Sequence, residues 1–152
     1  MNIDDTIKAL KQRIAELECY AREEREFPQR GEKYHFIEAN GGVNWFQWNG
    51  SGFGLRAKDI GNLFHTKEQA EFAVEKLKVE NDLRKFSRPF EPMVSNFHMI
   101  LDTSDGSVDV KCMVFGNVQG AIYFESKEKA QQAISTVGDD RIKKYIFGLE
   151  EK

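Results

Sequence analysis

Two stretches of this chain repeat one another, and that repetition constrains the fold more than any other feature. Phe64-His65-Thr66-Lys67-Glu68-Gln69-Ala70 answers to Phe124-Glu125-Ser126-Lys127-Glu128-Lys129-Ala130. Both continue to an alanine (Ala73, Ala133) followed by a β-branched residue (Val74, Ile134). Over residues 64–77 against 124–137, five of fourteen positions are identical and three more are conservative. Upstream, Lys33-Tyr34-His35-Phe36-Ile37 answers to Asn96-Phe97-His98-Met99-Ile100, so the offset is 63 residues at the start and 60 at the end. Two copies are too few for a solenoid, which needs about three or more stacked units. The pattern predicts one pseudo-symmetric α+β domain built from a duplicated β-β-β-α unit, the copies spanning residues 31–90 and 95–148.

Turn and cap chemistry places the elements. In the second copy, residues 97–102 read as a strand and Asp105-Gly106 as a hairpin turn, because glycine accepts the positive φ that such turns need. Residues 108–115 return and 121–124 form a third strand. Ser126 then caps a helix that runs to Val137 and is stopped by Gly138. The first copy follows suit: strand 33–38, turn Asn40-Gly41, strand 43–48, a Gly-rich connection, strand 62–64, and a helix opened by Thr66. Thr66 with Gln69 three residues later makes a capping box.

The two repeat helices differ on one face. Ala70, Ala73, Val74 and Leu77 in the first, and Ala130, Ala133, Ile134 and Val137 in the second, form matching small apolar faces. The first helix also carries Phe72, Val79, Leu83 and Phe86, which fall on its opposite side at 100° per residue. The second has Gln132, Ser135 and Thr136 there instead. The extra stripe needs a partner, and the expected one is the N-terminal segment, residues 1–27. There Ile3, Ile7, Leu10, Ile14 and Leu17 recur at spacings 4-3-4-3, a heptad seam that Ala21 continues. A helix of that length is marginal alone in water and has to dock, on this chain or on another copy.

The search for chemistry finds no catalytic constellation. His35 and His98 fall at matching places in the aligned strands and read as strand histidines, and His65 as a turn residue. No histidine or cysteine spacing supports zinc. Asp102, Asp105 and Asp109 lack the alternating acids of a calcium loop and fit a hairpin turn better. Gly50-Ser51-Gly52-Phe53-Gly54 lacks the Lys-Ser/Thr of a phosphate loop and is expected to open into no helix. Trp45, Phe46 and Trp48 project onto both faces of a strand, with Arg56 and Lys58 in the Gly-rich connection beyond it. Such aromatic and basic groups could stack a nucleotide or single-stranded nucleic acid. Burial of the tryptophans explains them better, because 22 Lys+Arg against 25 Asp+Glu leaves no sustained positive field. The basic run Arg84-Lys85-Phe86-Ser87-Arg88 reads as a solvated helix end.

No apolar run approaches the ~20 residues of a membrane span, and Asp4, Asp5 and Lys8 argue against a leader peptide at the start. Cys19 and Cys112 stand far apart, as free thiols of a cytoplasmic protein would.

The string Gly61-Asn62-Leu63-Phe64-His65-Thr66-Lys67-Glu68-Gln69-Ala70-Glu71, running on to Glu75-Lys76-Leu77-Lys78, resembles a group of small accessory proteins of phages, prophages and mobile elements of Firmicutes. Tyr123-Phe124-Glu125-Ser126-Lys127-Glu128 and Val137-Gly138-Asp139-Asp140-Arg141-Ile142-Lys143-Lys144-Tyr145 are similar to that group's C-terminal signature. The resemblance covers roughly residues 31–148 and implies a genomic context rather than a chemistry, so it transfers no site residue. Proteins of this kind often act by binding host machinery or host defences. The expectation is therefore a non-catalytic accessory protein without cofactor or metal, which binds and blocks a host protein such as a nuclease effector. Its expected interface comprises Ile3, Ile7, Leu10, Ile14, Leu17, Phe72, Val79, Leu83 and Phe86, and its expected state is a homo-oligomer, a dimer first. The alternative is a nucleotide-signal sponge or single-strand binder using Trp45, Trp48, Arg56 and Lys58.

Overall fold

The computed structural model describes residues 3–23 and 27–150, with the backbone alone for residues 19–23. The side chains of Cys19 and Ala21, and residues 24–26, thus lie outside the described residues. Among the described residues the chain is mixed α+β, with five helices and two separate antiparallel two-stranded sheets.

Each hairpin forms where its turn residues allow the reversal. β1 (Lys33–Ile37) pairs with β2 (Val43–Gln47), Tyr34 standing opposite Phe46 and His35 opposite Trp45. Gly41 takes φ +83° in the connection, and its N–H donates to the Glu38 carbonyl at 2.9 Å. β3 (Asn96–Asp102) pairs with β4 (Ser107–Met113). Gly106, at φ +74°, donates its N–H to the Asp102 carbonyl at 2.8 Å.

The expected third strands shrink to single bridges, His35 with Phe64 and Phe97 with Phe124. In the first hairpin the reason is visible. Asn62 satisfies Ile37 with its side chain, accepting from the Ile37 N–H at 2.7 Å and donating to its carbonyl at 2.8 Å. No backbone ladder is left to form there. Thr66 and Ser126 then start helices two residues past the bridging phenylalanines. These bridges also correct the alignment of the histidines. Phe97, not His98, occupies the place of His35, and a one-residue slip turns a strand side chain to the other face.

α1 (Ile3–Glu23) opens with Asp4 and Asp5 at the positive end of its dipole. α2 (Gly52–Asp59) corrects the expectation that the Gly-rich segment opens into no helix. Ser51 is its N-cap, its hydroxyl accepting from the Gly54 N–H at 3.4 Å. Gly54 is required by close approach, because a Cβ there would lie 2.8 Å from Trp48 Cζ3 and 3.2 Å from Phe46 Cε2. α3 (Lys67–Arg84) carries the expected Thr66–Gln69 capping box. α4 (Lys127–Val137) is capped by Ser126, and Gly138 at φ +101° donates to the Ile134 carbonyl to end it. α5 (Asp139–Tyr145), absent from the sequence reading, follows at once with acids in its first turn and lysines in its last.

The main core gathers Val79 and Leu83 of α3, Val110 of β4, Phe124, Ala130, Ala133 and Val137 of α4, and Ile142 of α5. A smaller cluster of Tyr34, Trp48 and Leu63, with Phe46 against it, lies at the first hairpin. This arrangement corrects the expected role of the α3 stripe. Val79 and Leu83 are fully buried beneath the second half of the chain, Phe86 packs against the same core, and Phe72 meets the Tyr145 ring at 5.0 Å. The Val79–Leu83 part of the stripe is covered by the second half of the chain and is not free to receive α1, while Phe72 stays partly exposed. Arg141 of α5 adds an ion pair with Asp82 of α3 at 3.7 Å. Leu77, expected to face inward, is exposed. No helix among the described residues is long and apolar enough to cross a membrane.

Truncating Leu83 to alanine should therefore cost about 2–5 kcal/mol, read as a lower urea midpoint with an unchanged slope. A cost below about 0.5 kcal/mol, as at an ordinary surface position, would mean that the stripe is not core.

Candidate functional site

α1 presents a continuous seam of exposed apolar residues. Ile3, Ile7, Leu10, Ile14 and Leu17 are between 45% and 76% exposed, in a helix whose described side chains are exposed almost throughout. The 4-3-4-3 spacing sets all five along one seam, since 3.5 residues is close to one helical turn. Of the nine residues expected to form an interface, these five are exposed; Val79 and Leu83 of α3 and Phe86 just beyond it pack within the chain, and Phe72 touches the Tyr145 ring while staying 40% exposed.

The expected aromatic and basic group is not brought together. Trp48 is a core residue, buried under Gly54 of α2. Trp45, three residues earlier, projects from the opposite face of β2, in keeping with the alternation of a strand. It is 53% exposed, and the Lys33 ammonium sits over its ring at 4.1 Å. Arg56 and Lys58 are not in a loop but in the last turn of α2, where cations suit the negative end of the dipole. α2 lies on the Trp48 face of the sheet, where Phe53 meets Phe36 at 5.0 Å and Phe46 at 5.3 Å. Phe53, Leu55 and Ile60 leave apolar surface exposed on and beside this helix. A cleft of about 710 Å³ runs here between Phe36, Phe53, Arg56 and Ile60.

The second half holds two adjoining cavities. One, of about 730 Å³, lies between residues 84–90 and the 117–123 segment. The other, of about 430 Å³, is lined by His98, Glu80, Arg84, Met99 and Phe147 among others. The basic run beside the first is more structural than the sequence suggested. Arg88 donates to Asn96 Oδ1 at 2.9 Å and to the carbonyls of Pro89 and Ser95 at 2.8 Å. Fully buried Asn96 in turn donates to the carbonyls of Glu91 and Val94. These bonds tie the connection between the halves to the start of β3.

His98 is the group in these cavities best suited to proton transfer, and its surroundings do not orient it. It is only 6% exposed, with its ring 5.9 Å from that of Tyr123. Its Nδ1, like that of His35, is buried without a hydrogen-bond partner among the described residues. Glu80, on the cavity wall, is directed to Arg84 at 3.6 Å. A general base works when a hydrogen-bonded neighbour holds its tautomer and aim, and no such pair is formed here. Burial holds the His98 pKa below the usual imidazole value. Asp102 and Asp105 serve the β3–β4 turn, accepting from the N–H groups of Ser104 and Ser107 at 2.9 Å. No group of three or more His, Cys, Asp or Glu among the described residues is placed to hold a metal ion. Cys112 is an exposed free thiol on β4.

Comparison with protein-family models, with curated proteins and with solved structures found no match to this chain.

The His98 shift has a sign that can be tested. A histidine whose pKa is depressed on folding takes up its proton more readily when unfolded, so stability is lost as pH falls below the usual value of 6.5. Thermal stability should decline as pH falls from about 7 to about 5, above the carboxylate range, and the decline should flatten in His98→Leu. An identical slope in wild type and variant would contradict this assignment.

Proposed function

We propose that this chain is a non-catalytic binding protein that self-associates through α1, as a dimer, and in that form binds and blocks a host protein. The role is that of a phage or mobile-element accessory protein in the host cytoplasm, with anti-defence inhibition, for instance of a nuclease effector, as its service. The observation that carries the reading is the exposed seam of Ile3, Ile7, Leu10, Ile14 and Leu17. A seam of that spacing is unstable in water unless another helix covers it. Val79 and Leu83 of the α3 stripe that could have covered it are already buried within the chain. The unoriented histidine and the solvent-facing apolar residues beside α2 fit binding better than catalysis. The architecture belonging to this reading is a duplicated unit of hairpin, bridging phenylalanine and helix, behind a heptad helix. In its favour stand the paired phenylalanine bridges and the Thr66 and Ser126 caps at matching places.

The test replaces two seam residues, Leu10→Glu with Leu17→Glu, in the full chain. Sedimentation should show a dimer become a monomer while the melting of the β-containing part is unchanged. Expressed in a host that carries the targeted defence, the wild type should protect an infecting phage and the double variant should not. A monomeric variant that protects fully would overturn the reading.

One observation favours the nucleotide or single-strand alternative, namely the exposed Trp45 ring capped by Lys33. Against it, Trp48 is unavailable and Arg56 and Lys58 lie on α2. The protein-binding reading predicts no quenching of tryptophan fluorescence by millimolar nucleotide or by an oligonucleotide. Saturable quenching that weakens with salt and disappears in Trp45→Ala would establish the alternative.

A further inference from the structure

The seam of α1 carries more information than its exposure, because the residues flanking it set the direction of pairing. In heptad terms Ile7 and Ile14 occupy a positions, and Ile3, Leu10 and Leu17 occupy d positions. β-Branched residues at a with leucine at d favour two-stranded pairing of parallel helices. The flanking e positions hold Asp4, Lys11 and Glu18, and the g positions hold Thr6 and Arg13.

These flanks discriminate between the two orientations. In a parallel pair each g residue faces the e residue five positions later on the partner helix. Arg13 of one copy then meets Glu18 of the other, twice by symmetry, and Thr6 meets Lys11 without conflict. In an antiparallel pair with the seam matched end to end, e residues face each other. Asp4 would then oppose Glu18 twice and Lys11 would oppose its own copy, so every charged e contact would be repulsive. Within one helix Arg13 bonds Glu16 at 2.9 Å, with both side chains open to solvent. Exposed pairs of this kind exchange at little cost, so the guanidinium is available to Glu18 of a second copy.

We infer that α1 pairs with α1 of a second copy as a parallel, two-stranded coiled coil, in register along Ile3–Leu17. This rests on the self-association proposed above and adds its orientation. Its consequence is bivalency. Both chains leave the coiled coil at the same end, so the dimer offers two copies of the α+β body on one side and not at opposite ends.

A single charge reversal distinguishes the orientations by sign. In a parallel pair Glu18→Arg sets the introduced guanidinium against Arg13 of the other copy, twice by symmetry. The dimer dissociation constant from sedimentation equilibrium should then rise about tenfold. Adding Arg13→Glu to the same chain should restore it. In an antiparallel pair Glu18→Arg would instead face Asp4 and tighten the dimer. A tighter dimer would overturn the inferred orientation and leave self-association standing, as would a trimer or tetramer in the wild type. A wild-type chain that stays monomeric at all concentrations would overturn the self-association itself.

Discussion

The packing of Val79 and Leu83 under α4 and α5 governs what the rest of this molecule is free to do. α3 is the one long helix of the body, and it is apolar on two sides. Its Ala70 and Val74 are buried on one side, and its Val79–Leu83 side forms part of the main core. Val79 and Leu83 are taken up inside the chain and are not available to a further helix. The seam of α1 is thereby left to seek its cover elsewhere.

The two hairpins are stabilised by different means. The second shares a large aliphatic core with α3, α4 and α5. The first relies on a smaller aromatic cluster of Tyr34, Phe46, Trp48 and Leu63, on which α2 closes through Phe53 and a glycine at Gly54. Here a Trp48 ring carbon lies only 2.8 Å from where a β-carbon would sit, so Gly54 cannot be exchanged without moving Trp48. That difference explains why Trp48 is structural while Trp45, on the other face of the same strand, is left to Lys33 and solvent. Resemblance between the halves at the level of sequence does not make their surfaces alike.

Much of the fold was legible because it depends on local chemistry. The Asn-Gly and Asp-Gly turns, the Thr66–Gln69 capping box, the Ser126 cap and the Gly138 stop each act within a few residues, and each does so here. α2 is hard to read from sequence because two glycines in its first turn, Gly52 and Gly54, lower helix propensity. The cap signal of Ser51 was present, but the reason for Gly54 lies across space in Trp48. α5 left a fainter trace, in Asp139 and Asp140 followed by Lys143 and Lys144, which match the two ends of a helix dipole. The third strand of the first copy failed for a reason no propensity records, the use of the Asn62 amide in place of a backbone ladder. The α3 stripe was visible as a stripe, but its partner depends on long-range topology. The candidate site divides the same way: the heptad seam is periodic and readable, whereas the separation of Trp45, Trp48, Arg56 and Lys58 is a property of the folded hairpin and α2.

If α1 owes its order to a second copy, its backbone hydrogen bonds are only as durable as the dimer. Amide hydrogen exchange over residues 3–18, followed across a range of protein concentration, reads that dependence directly. Protection of these amides should rise with concentration, while that of α3 and α4 stays constant. Protection of α1 that does not change with concentration would contradict pairing with a second copy.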